Sequence, residues 1–347
     1  MHTALLLLVL AIAMVLLFDL SNGFHDSSNM VATLVASRAM TPGQALLLVG
    51  VFTFLGPLMA GTAVADTIGG VVDLQALSPT LGVSVVLCGV VAAVTWNLLT
   101  WWLAMPSSSS HALVGGLVGA VLVCAGPGSV VWGLAQFERG ELSGVTKVVL
   151  ALLLSPLAGF AFGFVLHRLM CFLLRAAHPS VNRQLRHGQW LTAAILAFSH
   201  GTNDAQKGMG IITLLLLLGG VLEEFTVPLW VILASAGCIT LGTLLGGWRI
   251  VRTVGFGIYK LRPLHGLNAQ LASSAVIFGA SLVGGPVSTT HVVSSSIMGL
   301  GASERPRAVR WIKAREIALT WVVTLPGTGL LGAALSWLLV TYTTFVQ

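Results

Sequence analysis

PSSSSH at residues 106–111 and PVSTTH at residues 286–291 stand 180 positions apart, each inside a long apolar stretch. Upstream of each block an apolar run is interrupted by a polar patch, NGFHDSSN at 22–29 and HGTNDAQK at 200–207. Gly23 and Asp26 fall on Gly201 and Asp204 at an offset of 178. Two motif pairs in the same order, at nearly the same offset, describe an internal duplication.

The apolar background decides the class. Of 347 residues, 56% are hydrophobic and 8% charged, against about 25% charged in soluble domains. The chain therefore reads as a polytopic membrane protein whose partner is the lipid bilayer. Its first apolar run, ALLLLVLAIAMVLLF, has no preceding Lys or Arg and continues past a polar patch, so it reads as a first span and not a cleaved signal. The net charge of +6 does not point to nucleic acid, because 13 of the 17 basic residues lie in three short segments, 168–186, 249–262 and 305–315. Short basic loops between apolar spans set orientation. Cys88, Cys124, Cys171 and Cys238 lack CxxC spacing and read as packing residues, with no disulfide, metal centre or cofactor implied.

Basic-poor linkers at 66–80, 126–144 and 222–227 are placed outside and the basic segments inside. The first repeat, 1–174, then contains a broken span at 3–37, a return span at 44–65, a hairpin at 81–125 folded at Pro106, and a span at 145–174. A short basic cytoplasmic linker, 175–189, leads to the second repeat, 190–347, with a broken span at 190–221, a span at 228–248, a hairpin at 264–301 folded at Gly284–Pro286, and a last span at 316–342. The parity closes with both termini extracytoplasmic. The expected fold is all-α, with two inverted-topology repeats, each holding a broken helix and a re-entrant-type helical hairpin, a plan common in secondary transporters.

Proline suits a first helical turn and Ser caps it, so each hydroxyl block reads as the start of a hairpin's second arm. Entering from opposite sides, the two arms point their N-termini at each other near mid-membrane. Free N–H groups and the positive dipole end make a helix N-terminus an anion site. Ser107, Ser108, Ser109, Ser110, Ser288, Thr289 and Thr290 then form two facing halves of a cradle for a tetrahedral oxyanion. The plainer reading is that they only cap helices and pack.

Asp26 and Asp204 lie mid-segment with Asn22, Asn29 and Asn203 nearby, beside glycines where a helix can unwind. Intramembrane carboxylates mark function, and carboxylate, amide and freed carbonyl oxygens suit a small cation or a proton. Lys207, three residues after Asp204, reads chiefly as its charge partner. Asp19 is either a second cation ligand or a polar group near the outer interface. His111 and His291 each follow a hydroxyl block and read as support that hydrogen-bonds the neighbouring broken span, with proton coupling the sharper alternative. Trp96, Trp101, Trp102 and Trp132 read as interface anchors or packing.

NGFHDSSNMVAT, GTNDAQKGMG, PSSSSHALVGG and PVSTTHVVSSSIMG resemble the duplicated signatures of the inorganic phosphate transporter family, also called PiT, over nearly the whole chain. The resemblance implies uptake of inorganic phosphate by symport with sodium or protons, and the compact prokaryote-like length points to a cell (inner) membrane. It implies phosphate binding at Ser107–Ser110 and Ser288–Thr290 and a cation site, sodium for example, at Asp26 and Asp204. The first copy reads GFHD where the family pattern has GFND, so His25 replaces an Asn and both coupling ions stay open. The 175–189 linker lacks the large insert of longer relatives. A homodimer is one candidate assembly.

Three alternatives compete. A sulfate permease keeps the fold, but a carboxylate facing the anion favours phosphate, which can donate a proton. A channel shares pore-lining hydroxyls but not the inverted, broken-helix plan. An intramembrane serine hydrolase would need a nucleophile facing a base; Ser110–His111 and Thr290–His291 are adjacent on a helix and face apart, and no GxSxG or HExxH motif occurs. The chain does not read as an enzyme.

Overall fold

Helix starts follow local chemistry. Proline opens α2 (Pro42–Met59), α4 (Pro79–Trp102) and α11 (Pro263–Leu282). Thr41 caps α2 reciprocally with Gln44: the Thr41 N–H donates to Gln44 Oε1 at 3.1 Å and the Gln44 N–H to Thr41 Oγ1 at 3.5 Å. The computed structural model describes residues 2–346; among these the architecture is helical, with one isolated antiparallel bridge between Val72 and Val130.

The first half continues with α1 (His2–Ala36), α3 (Ala63–Gly69), α5 (Ser109–Cys124), α6 (Leu134–Glu138) and α7 (Gly144–Leu173). The second half holds α8 (Val181–Leu218), α9 (Leu229–Leu245), α10 (Trp248–Gly257), α12 (Thr289–Glu304) and α13 (Trp311–Val346) besides α11. Apart from α6, the order matches between halves: long helix, span, short helix, hairpin pair, one 3₁₀ turn, long helix. Packing is exchanged reciprocally: α1 lies on α9 and α8 on α2, while α5 lies on α13 and α12 on α7. An inverted repeat would produce that exchange.

Five helices are long and apolar enough to cross a membrane, and the α9–α10 pair, bent by 69°, adds a sixth span if taken as one. This is a multi-pass membrane protein. The basic segments gather at one end, where Arg310 Nη1 donates to Phe256 O at 3.1 Å and Gln189 Nε2 to Pro263 O at 3.1 Å. The basic-poor linkers meet at the other, where the Asp73 N–H donates to Ser129 O at 2.8 Å and Gly69 lies against Phe225.

Both hairpins form where expected, α4–α5 turning at 103–108 and α11–α12 at 283–288. The expected breaks in the spans at 3–37 and 190–221 do not form: α1 and α8 run unbroken through their Gly–Asp patches. The glycines serve close packing instead. A Cβ at Gly23 would lie 2.0 Å from Ile239 O, and one at Gly201 2.1 Å from Thr53 O. No main-chain carbonyl is freed there, contrary to the expected ligand set. The bend falls elsewhere, between α9 and α10, at Gly246 with φ +72°, a conformation suited to glycine. Most of the linker expected at 175–189 is the first turns of α8.

Candidate functional site

The two hairpin tips meet as the caps predict. Ser108 Oγ accepts the His111 N–H at 3.2 Å and Ser288 Oγ accepts the His291 N–H at 3.3 Å. Ser110 Oγ donates to Val287 O at 3.1 Å, joining tip to tip, and Lys207 Nζ reaches the same carbonyl at 3.1 Å. The first tip is held from behind by Trp321 Nε1, which donates to Pro106 O at 3.2 Å.

The carboxylates of the two long helices converge on the second tip. Thr289 Oγ1 lies 2.9 Å from Asp26 Oδ2 and 3.1 Å from Asp204 Oδ2. Thr290 Oγ1 donates to Asp26 Oδ1 at 2.8 Å and accepts from Asn29 Nδ2 at 3.0 Å. Asp204 is paired by Lys207, and both are fully buried. The first tip is reached through a histidine: His25 Nδ1 lies 3.0 Å from Asp26 Oδ1, its Nε2 lies 3.3 Å from Ser107 Oγ, and that hydroxyl pairs with Thr100 Oγ1 at 2.7 Å. These groups are almost wholly buried, and a buried charge must be paired and hydrogen-bonded to be tolerated. Two carboxylates are set against one lysine and two histidines, His25 and His200, whose protonation sets the sign of the cluster's charge.

The duplicated motifs are used asymmetrically. Thr289 and Thr290 engage the carboxylates, whereas their counterpart Ser110 bonds a main-chain carbonyl of the opposite tip. Asn203, expected in the cation set, donates to Ser281 Oγ at 2.9 Å and Gly285 O at 3.0 Å and so pins the second hairpin's turn. Asn22 is buried, with neither side-chain polar atom hydrogen-bonded. His111 and His291, expected to hydrogen-bond the neighbouring long helix, instead pack against each other at a tilt, 4.7 Å between ring centroids, and His291 packs at a tilt on Trp321 at 4.0 Å.

His200 is the residue the sequence reading missed. Its Nε2 lies 2.9 Å from Asp204 Oδ2 and 3.9 Å from Asp26 Oδ2, a close contact without hydrogen-bond alignment that becomes an ion pair when the ring is protonated. The i,i+4 spacing to Asp204 was the available signal. Ligand atoms of Asp26, His200 and Asp204 lie within 4.8 Å of one another, close enough to share one cation.

A second polar cluster closes the basic end. His265 Nε2 lies 2.7 Å from Glu304 Oε2, to which the Tyr259 hydroxyl donates at 2.8 Å, and His167 Nε2 stands 4.0 Å away. The Arg262 N–H donates to His265 Nδ1 at 3.1 Å. In the neutral ring the proton is therefore on Nε2, directed at Glu304. Burial and the facing Glu304 push the Tyr259 hydroxyl up to about 12, which keeps it a donor.

With this geometry established, comparison with known proteins is decisive. The description "phosphate transporter family" matches residues 22–332. This chain belongs to that family. It is 42% identical over 336 residues to a probable low-affinity inorganic phosphate transporter of Bacillus subtilis, covering 96% of this chain and 97% of the relative. It is 41% identical to one of Rhizobium meliloti, covering 94% and 95%, and 26% identical to the low-affinity inorganic phosphate transporter PitA of Escherichia coli, covering 97% of each. A solved structure titled "The sodium-dependent phosphate transporter" superposes with a TM-score of 0.85 at 24% identity, covering 96% of this chain and 98% of that one, a likeness of fold. The hydrolase alternative falls: the family is one of transporters, and the Ser110 hydroxyl bonds Val287 O, not a histidine.

Proposed function

We propose that this transporter imports inorganic phosphate by symport with a cation, binding the anion between the two hairpin tips. The observation that carries the reading is the Thr289 hydroxyl, which sits within hydrogen-bonding reach of one carboxylate from each half. In this arrangement the carboxylates take the donors that an arriving anion would claim. Phosphate binding at Ser107–Ser110 and Ser288–Thr290 would exchange those bonds for bonds to its own oxygens, and a partly protonated phosphate would return a hydrogen bond to Asp26 or Asp204. Sulfate cannot.

Charge supplies the reason for symport. Asp26 and Asp204 already put two carboxylates beside the hairpin tips, and an anion added alone at membrane depth is strongly disfavoured. A co-transported cation near Asp26, His200 and Asp204 offsets it. The closure that follows is a population shift driven by both ligands together. The basic segments face the cytoplasm on this reading, by the positive-inside rule.

Radiolabelled phosphate uptake into proteoliposomes, with proton and sodium gradients imposed separately and sulfate as competitor, tests the reading. Saturable, gradient-dependent accumulation resistant to excess sulfate supports it. Sulfate accumulation without phosphate uptake overturns the substrate, and non-saturable flux overturns the carrier in favour of a channel.

A further inference from the structure

We infer that Asp19 is a proton-carrying site, separate from the Asp26–Asp204 cluster, whose protonation couples phosphate movement to a proton gradient. The inference rests on the phosphate-symport reading and adds a proton, at a site of its own, to the ions that couple it.

Asp19 stands two turns before Asp26 on α1, fully buried, with neither carboxylate oxygen hydrogen-bonded. Asp26 and Asp204 are held by Thr289, Thr290, His25 and Lys207. Changing the charge of either would dismantle the contact with the second hairpin. Asp19 has no such commitment. Its carboxylate lies against the backbone of α8 at Gly208, where a Cβ would come within 2.1 Å of Oδ2 and 2.2 Å of Oδ1. The Ser235 hydroxyl of α9 faces it outside hydrogen-bond geometry, and Asn22, one turn on, is also unpartnered; both are fully buried. Asp204 and Lys207 on α8 and Cys238 on α9 are the other titratable groups that act on it, and α4 carries no acidic, basic or histidine residue.

A bare carboxylate in such surroundings must be neutralised. A metal cation needs a shell of oxygen ligands, and α1 is helical through this stretch with its carbonyls engaged. A proton needs only one carboxylate oxygen, forming an O–H group whose hydrogen bond the Ser235 hydroxyl can accept. The proton comes from the aqueous phase on one side and returns to water on the other. Neutralising Asp19 removes a negative charge beside the Asp204–Lys207 pair and leaves more of the lysine's charge for the anion. Proton and phosphate binding then favour each other.

The test compares wild type with Asp19→Asn in proteoliposomes, by phosphate exchange at equal pH and by accumulation under an imposed proton gradient, with a trapped pH dye reporting phosphate-evoked proton entry. The expected result is at least a tenfold fall in the ratio of proton-driven accumulation to exchange, with the dye signal lost. An unchanged ratio and dye signal overturn the inference alone. Wild-type vesicles that exchange no phosphate overturn the transport reading and this inference with it. Ser235→Ala is the second variant, should D19N not assemble: a shift of half a pH unit or more in the accumulation profile supports the site, and an unmoved profile contradicts it.

Discussion

Thr290 Oγ1 donates to Asp26 Oδ1 across 2.8 Å, joining residues 264 positions apart and tying the tip of the second hairpin to the first long helix. Asn29 donates into the same hydroxyl, so helix, hydroxyl and carboxylate form one chain of polarised bonds. Such chains place the charge of one half under the control of the other half's hairpin.

Replacing Thr290 with Val removes the donor and leaves Asp26 and Asn29 without that partner. Hydrogen bonds to charged groups contribute about 1.5–3 kcal/mol, so phosphate KM should rise roughly ten- to a hundredfold by the usual conversion. Thr290→Ser keeps the hydroxyl and should stay within about threefold of wild type, less than 1 kcal/mol. Initial uptake rates over a phosphate titration decide it.

Asp204→Asn leaves Lys207 charged and buried without its paired carboxylate, facing only the neutral amide oxygen and Val287 O. Breaking one side of a buried pair is strongly destabilising, by about 3–5 kcal/mol. The purified variant should unfold at a clearly lower temperature in detergent. Adding Lys207→Met should recover much of that loss while gradient-driven uptake stays absent.

Gly23→Ala should destabilise the α1–α9 contact, because the new methyl would lie 2.0 Å from Ile239 O. Overpacking of this kind costs about 1–3 kcal/mol. Gly43→Ala is the control, since a Cβ there meets nothing within 4 Å. Thermal unfolding of the pair should separate them, with only the first depressed.

The hairpins were legible in the sequence because their signals are local. Pro106 and Pro286, followed by Ser108 and Ser288 as caps, fix the two tips without reference to the rest of the fold. The polar patches were misread as helix breaks because glycine beside aspartate looks like an unwinding point. Only the fold shows that Gly23 and Gly201 admit neighbouring backbones and that the hairpin threonines satisfy the carboxylates within an unbroken helix. Asn203 belonged to a duplicated motif, but its partners lie 78 and 82 residues away, beyond any spacing argument.

Glu304 offers a pH prediction at the basic end. Burial alone would raise its pKa, but the Tyr259 hydroxyl, His265 and Arg262 outweigh burial and hold the carboxyl below the usual glutamate range. A carboxyl lowered in the folded state stabilises above its unfolded pKa, and that contribution is lost as pH falls through the folded value. Wild type should therefore lose thermal stability on acidification through that window more steeply than Glu304→Gln, by differential scanning in detergent.

The central claim is that the two hairpin tips form the phosphate site. Equilibrium binding of radiolabelled phosphate to the purified protein, compared with the Thr289→Val, Thr290→Val double variant, tests it without requiring turnover. The account predicts saturable binding to wild type, unaffected by excess sulfate, and its loss in a double variant that remains monodisperse. Wild-type affinity in that variant would contradict it.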